Sequence, residues 1–195
     1  DTVIRRFFPE DRESRILDMG CGYGPFLYAL AKEGYRNASG VDISPSQTEL
    51  GKRLGLGSIE TEDIREYLPR HLSEFDVITA FDVIEHFKKK EIPRLLSLSY
   101  FSLKQGGRLI IRVPNGASPF FGRYRYGDFG HEVCFTTTSI RQLLLSARFR
   151  DVWCFPVEPM TTGFKGKVRL FLWRIIESSR RFLLAVETGG LQKGE

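Results

Sequence analysis

No stretch of 18 or more apolar residues occurs in the 195-residue chain, so no membrane-spanning helix is expected. The opening residues, DTVIRRFFPEDRESR, have neither the long apolar segment nor the small-residue cleavage site of a secretory leader. Only three cysteines are present, Cys21, Cys134 and Cys154, and none lies in a CxxC or CxxH spacing. That scarcity excludes a disulfide framework and argues against a zinc site, so no bound metal is expected. It also fits a reducing compartment, and a cytoplasmic location is expected. Three histidines, His71, His86 and His131, limit the side chains that exchange protons near neutral pH without a large shift. Internal repeats and low-complexity tracts are likewise missing.

What is present is an alternation of short apolar runs and helical patterns. Residues 15–19 (RILDM), 38–43 (ASGVDI), 59–63, 75–81 (FDVITAF) and 108–113 (RLIIRV) read as strands, with Phe75–Phe81 richest in β-branched residues. Helical patterns fall at 25–33, 45–54, 90–103 and 138–147, with helix or loop at 64–72. Strands alternating with helices at this spacing predict a mostly parallel twisted sheet with helices on both faces. One domain is expected over residues 1–195, its core spanning 15–157 and a basic amphipathic helix at 167–186.

The stretch Asp18-Met19-Gly20-Cys21-Gly22-Tyr23-Gly24 places an acid at the end of a strand and glycines at alternate positions of the following turn. Glycines permit a tight turn and a close ligand approach. A dinucleotide loop would read GxGxxG, whereas here the third glycine is Gly24 and Pro25 follows. An acid before the loop suits an ammonium group and repels pyrophosphate, which points away from NAD. This DxGxGxG pattern resembles the first motif of class I S-adenosylmethionine (SAM) dependent methyltransferases, in particular the group that includes quinone-biosynthesis and surface-glycan enzymes. The match extends, in order, through Gly40-Val41-Asp42-Ile43-Ser44, Glu62-Asp63-Ile64, Phe81 and Leu103-Lys104-Gln105-Gly106-Gly107.

The resemblance implies a Rossmann-like fold and a SAM site. It assigns Asp18, Gly20, Cys21, Gly22 and Gly24 to the loop and Asp42 to the ribose hydroxyls. Asp63 falls on the adenine amino group, with Ile43, Ile64 and Phe81 lining the cofactor. Taken singly, Asp42 also reads as a turn residue, Asp63 as a helix N-cap and Cys21 as a small turn residue. Product S-adenosylhomocysteine (SAH) is expected to bind at the same site.

The acceptor side begins where Phe75–Phe81 runs into Asp82-Val83-Ile84-Glu85-His86, since ligands of open α/β sheets bind beyond the carboxyl ends of strands. Residues 114–136 form a long loop rich in glycine, aromatics and arginine, a common carrier of function. Within it, His131 is the preferred general base for a hydroxyl acceptor, oriented by Asp128 or Glu132, with His86 as the other candidate. Arg123, Tyr124, Arg125 and Tyr126 interleave cations with aromatics, as sugar or phosphate binding would require. O-methylation of a small hydroxylated or sugar-type acceptor is expected. The alternatives are N- or C-methylation of a small molecule, or a SAM-binding module without turnover. A nucleobase acceptor is disfavoured because no Asn-Pro-Pro-Tyr or Pro-Cys motif follows the fourth strand.

Charge is uneven. Residues 1–100 hold 14 basic and 17 acidic side chains, residues 101–195 hold 15 and 7. The last helix carries Lys165, Lys167, Arg169, Arg174, Arg180 and Arg181 beside an apolar stripe of Val168, Phe171, Leu172, Ile175 and Ile176. Docking on the sheet, a homo-oligomer interface and a peripheral membrane contact all fit that pattern. A sixth strand is expected at Asp151–Phe155, with no clear seventh, and residues 1–14 offer little helical cover.

Overall fold

A strand whose residues are buried on both faces has to be covered on both sides, and Ile16–Met19 (β1) is of that kind, with every residue buried. The computed structural model describes residues 2–56, 58–157 and 163–190. Two compact units follow one another along the chain, 1–150 and 151–195. The first unit contains, in order, α1 (Thr2–Phe7), β1, α2 (Pro25–Lys32), β2 (Ala38–Asp42), α3 (Pro45–Arg53), β3 (Ile59–Thr61), α4 (Ile64–Tyr67), β4 (Phe75–Phe81), α5 (Ile92–Ser102), β5 (Leu103–Arg112), α6 (Phe121–Tyr126) and α7 (Thr137–Ser146). The strands form one five-stranded sheet in the order β3-β2-β1-β4-β5, and every neighbouring pair is parallel.

The order reverses between β1 and β4. The chain leaves β1 toward β2 on one side and returns to β4 on the other, which opens a crevice beyond the carboxyl ends of these two strands. Helix starts are set by the residues expected to set them. Pro25 and Pro45 stand at the first positions of α2 and α3. Thr136 and Ser139 form a reciprocal capping box at the start of α7. Gly51 of α3 lies so close to the loop that a Cβ there would sit 2.8 Å from the Tyr23 carbonyl oxygen.

Three parts differ from the sequence reading. Residues 2–7 form a helix, and Ile4 with Phe8 joins Ile16, Leu27, Leu30, Tyr35 and Val77 in the core, so this segment does cover the sheet. Strand β5 starts at Leu103 rather than Arg108. Leu103 pairs with Phe75, and the register then shifts before Val77 pairs with Arg108. Gly106, at φ +80°, lies in this irregularity, so the glycine pair is a bulge within the strand rather than a break before it. The sixth strand expected at Asp151–Phe155 is not formed: residues 152–157 have no regular structure. Alternating exposure (Val152 buried, Trp153 exposed) gives the sequence its strand-like pattern, but alternation alone does not make a strand.

In the second unit, α8 (Gly163–Thr188) is longer than the expected 167–186. Its stripe residues Val168, Phe171, Leu172, Ile175 and Ile176 are exposed. Arg180 and Arg181 both pair with Glu177. Among the described residues no helix is long and apolar enough to cross a membrane.

Candidate active site

The crevice is built on the turn after β1. Gly20, Gly22 and Gly24 all have positive φ (+66°, +55° and +84°), a region L side chains rarely adopt. The turn hangs on β2 through Gly20 N and Cys21 N, which both donate to the Val41 carbonyl. Asp42, at the end of β2, ties the turn to the next helix: Gly22 N donates to its Oδ2 and Ser44 N to its Oδ1, both at 2.8 Å. A Cβ on Gly22 would find only Gln47 Oε1, at 3.7 Å, so the outer face of the loop is open to an incoming group.

Asp18 sits beneath this loop, 4% exposed. Its Oδ1 accepts a 2.6 Å hydrogen bond from Thr79 Oγ1 of β4. Burial pushes its pKa up to about 7; the Thr79 bond opposes that shift and the nearby Asp42 charge adds to it. Cys21 is buried against Gly40 and Leu27, and burial pushes its thiol up to about 12. A thiol that stays protonated packs the turn and is no nucleophile.

The remaining residues expected around the cofactor divide. Phe81, at the end of β4, meets Phe26 edge-on with ring centroids 4.8 Å apart, and the Arg112 guanidinium lies 5.1 Å from its ring centre. Ile43 is 67% exposed at the end of β2, whereas Ile64 is buried. Asp63 caps α4, accepting from Arg65 N at 2.8 Å, and the Arg65 guanidinium grips the same carboxylate. That hydrogen-bonded guanidinium holds the Asp63 carboxyl below the usual range.

A second group of side chains assembles past β4. Asp82 takes a left-handed backbone conformation (φ +56°) and pairs with Arg112. The tight turn Ile84–His86 then buries Ile84 and Glu85 while leaving His86 exposed. The long loop is sewn onto this turn: Glu132 N and Val133 N both donate to the Glu85 carbonyl, at 2.8 and 3.2 Å. Arg125 in turn binds the carbonyls of His131 and Glu132. His86 and His131 meet edge to face, ring centroids 4.7 Å apart. One donor atom from each of Glu85, His86 and His131 lies within 4.8 Å of the others.

His131 is oriented by a backbone group and not by the acid expected from sequence. Its Nδ1 lies 2.7 Å from the Tyr124 carbonyl oxygen, and since a carbonyl only accepts, Nδ1 is the donor of this bond and Nε2 is the nitrogen left for another partner. Asp128 instead accepts from Gly130 N at 2.7 Å, shaping the loop. Glu85, which the sequence places with His86 near the reaction centre but to which it assigns no catalytic role, completes the group. It is fully buried, and neither carboxylate oxygen has a hydrogen-bond partner. Burial pushes its pKa up to about 7, with the neighbouring Asp82 charge acting in the same direction. The signal was an acid preceding a histidine inside the apolar run VIEHF. His71 lies outside the group, stacked on Tyr67 and bonded to Glu74.

Asp18 titrates near 3.8 in an ordinary setting and near 7 in the fold, so the folded chain binds its proton more tightly. Its contribution to stability is complete below pH 4 and is lost as pH rises through 7; Glu85 acts in the same direction. Asp18→Asn keeps an acceptor for Thr79 and is expected to shrink the loss of unfolding free energy between about pH 5 and pH 8 by about 2 kcal/mol, read by urea denaturation. An unchanged loss would remove Asp18 as a source of that pH dependence.

The sequence matches the methyltransferase domain family over residues 1–152. It is 27% identical over 179 residues to phosphoethanolamine N-methyltransferase 1 of Arabidopsis thaliana, covering 87% of this chain and 35% of that protein. It is 32% identical over 126 residues to a ubiquinone biosynthesis O-methyltransferase of Coxiella burnetii, covering 62% of this chain and 50% of that protein. The chain thus spans a third to a half of the length of these curated relatives. Among solved structures, a SAM dependent methyltransferase from Archaeoglobus fulgidus superposes with a TM-score of 0.70 at 25% identity, over 93% of this chain and 85% of that one. Phosphoethanolamine N-methyltransferase 2 of Haemonchus contortus, in complex with SAM, gives 0.66 at 26% identity, over 94% of this chain and 43% of that one. With the parallel sheet, the glycine turn and a family match over residues 1–152, the chain belongs to the class I SAM-dependent methyltransferases.

Proposed function

We propose that this chain transfers a methyl group from SAM to a hydroxyl of a small acceptor, of hydroxylated or sugar type. The residues at the crevice fit SAM. Asp18 would offer a carboxylate to its ammonium, the turn of Gly20, Cys21, Gly22 and Gly24, open at Gly22, would admit its amino-acid end, and the Asp42 carboxylate, held by Gly22 N and Ser44 N, would accept from the ribose hydroxyls. Phe81 and exposed Ile43 supply apolar walls, while Asp63 and buried Ile64 support the adenine side from below. Bound there, SAM would supply a sulfonium-activated methyl group.

The observation that carries the choice of a hydroxyl is the buried, partnerless Glu85 carboxylate facing two imidazoles beyond the end of β4. A hydroxyl is a poor nucleophile until its proton leaves, and the His131 Nε2 lone pair is the atom to take it. Glu85 then stabilises the imidazolium that forms, as an adjacent carboxylate does. His86, on the exposed side, borders the entry. Asp128 acts through loop shape, holding Gly130 and so His131. An amine acceptor that is protonated at neutral pH must also lose a proton before transfer, so the same base would serve it, and the N-methylating reading stands second with support from the phosphoethanolamine and ajmaline relatives.

Two substitutions separate cofactor holding from proton transfer. Asp42→Ala should weaken SAH binding by about tenfold or more, since lost charge-assisted hydrogen bonds cost roughly 1.5–3 kcal/mol. His131→Ala should leave SAH affinity unchanged and lower kcat on the true acceptor. Calorimetry and turnover read the two. Unchanged SAH affinity in folded Asp42→Ala removes Asp42 from the site, and turnover within about twofold of wild type removes His131 as base.

We also propose that α8 contacts an anionic membrane surface. Its support is the exposed stripe Val168-Phe171-Leu172-Ile175-Ile176 beside Lys165, Lys167, Arg169 and Arg174. Anionic liposomes should co-sediment the protein at low salt and release it as salt rises. Failure to bind at low salt assigns the helix to a protein interface instead.

A further inference from the structure

We propose that Glu85, His86 and His131 form a binding site for a first-row divalent cation. Three independent features point to it. The first is the Glu85 side chain: a fully buried carboxylate with no hydrogen-bond partner at either oxygen is costly unless a positive group faces it. Donor atoms of the two imidazoles come within 4.8 Å of it, and the Arg112 charge on β5 also acts on it without supplying a hydrogen bond.

The second feature is the tautomer of His131. Its Nδ1–H is bonded to the Tyr124 carbonyl at 2.7 Å, which leaves Nε2 as the ring nitrogen that an ion would use. A backbone carbonyl on the far nitrogen is the usual outer partner of a metal-bound histidine, because it fixes both the ring and its protonation.

The third is spacing and support. Ligand atoms at about 2.1 Å from one ion lie about 3–4 Å from each other. The donors here are already within 4.8 Å, so closure by a small side-chain adjustment suffices. The backbone holding them is fixed by Glu132 N and Val133 N on the Glu85 carbonyl and by Arg125 on the His131 carbonyl. Gly130 keeps space beside His86, where a Cβ would come within 3.0 Å of its Nδ1. His86 is exposed, which leaves the outward coordination positions to water or a ligand.

Two imidazoles and one carboxylate favour Mn2+, Co2+ or Zn2+ over the all-oxygen sites of Mg2+ and Ca2+. Ion binding itself does not depend on the methyl-transfer reading; only its consequence rests on that reading. An acceptor hydroxyl coordinated here would have its pKa lowered, its proton passing to water. The ion and a proton compete for the same Nε2 lone pair, so the base role of His131 belongs to the ion-free protein.

The test is titration of the chelator-stripped protein with Mn2+, following the free-ion signal by electron paramagnetic resonance. In parallel, SAH affinity is measured by calorimetry. Wild type should take up one ion per chain. Glu85→Gln, His131→Ala and His86→Gln should each weaken uptake by about tenfold or more, with SAH affinity unchanged. His86→Gln changes an exposed side chain and serves if the buried Glu85→Gln fails to fold. No uptake by folded wild type at millimolar Mn2+, or uptake unaffected by His86→Gln and His131→Ala, overturns the cation site. SAH binding in that same sample leaves the methyltransferase reading standing; loss of SAH binding with Mn2+ uptake intact overturns that reading instead.

Discussion

Burying a carboxylate is among the least favourable things a fold does, and this one does it twice at the same end of its sheet, where the Arg112 charge offsets only part of the desolvation of each. Asp18 at the end of β1 and Glu85 just past β4 are both buried, and both are pushed up to about 7. They flank the point at which the strand order reverses, where parallel strands end side by side. The glycine turn, the left-handed Asp82 and the loop stitched onto Glu85 all hold these two groups in place. Such strain and desolvation persist in a native structure only where the surroundings enforce them.

The two carboxylates are kept apart chemically as well as along the chain. Asp18 has Thr79 as a fixed donor and lies under an open glycine loop, so it awaits a cationic group from the crevice. Glu85 has no donor and faces imidazoles, so its environment changes with whatever those rings hold. On the proposed reading, one end of the site would hold a charged small molecule, and the other would govern protons or an ion at the acceptor. That division matches a group transfer in which positioning supplies much of the rate.

The fold was legible where burial is two-sided and local. The β1, β2 and β4 runs and the DxGxGxG turn are short-range patterns, and each lies where the sequence put it, with β4 identical in bounds (Phe75–Phe81). What escaped depended on partners far along the chain. Helix α1 is marginal on its own and forms because Ile4 and Phe8 meet Ile16 and Leu30. The strand expected at Asp151–Phe155 had alternation, but residues 152–157 have no regular structure. Strand β5 absorbs Gly106 and Gly107 as a bulge because Leu103 finds Phe75 across the pair. At the site, His131 and His86 were legible as residue types, but their meeting with Glu85 was not. The 45 residues between Glu85 and His131 are closed by backbone bonds that no periodicity encodes.

The central claim is that the crevice at the β1 turn takes SAM rather than a dinucleotide, and ligand-dependent unfolding tests it most directly. The protein is heated alone, with SAH, and with NAD, each ligand at the same large excess. A ligand that binds only the folded state at a hundredfold over its Kd adds about 2.7 kcal/mol, which raises the Tm of a chain this size by about 5–10 °C. SAH is expected to produce such a rise and NAD none. A rise with NAD and none with SAH would contradict the account.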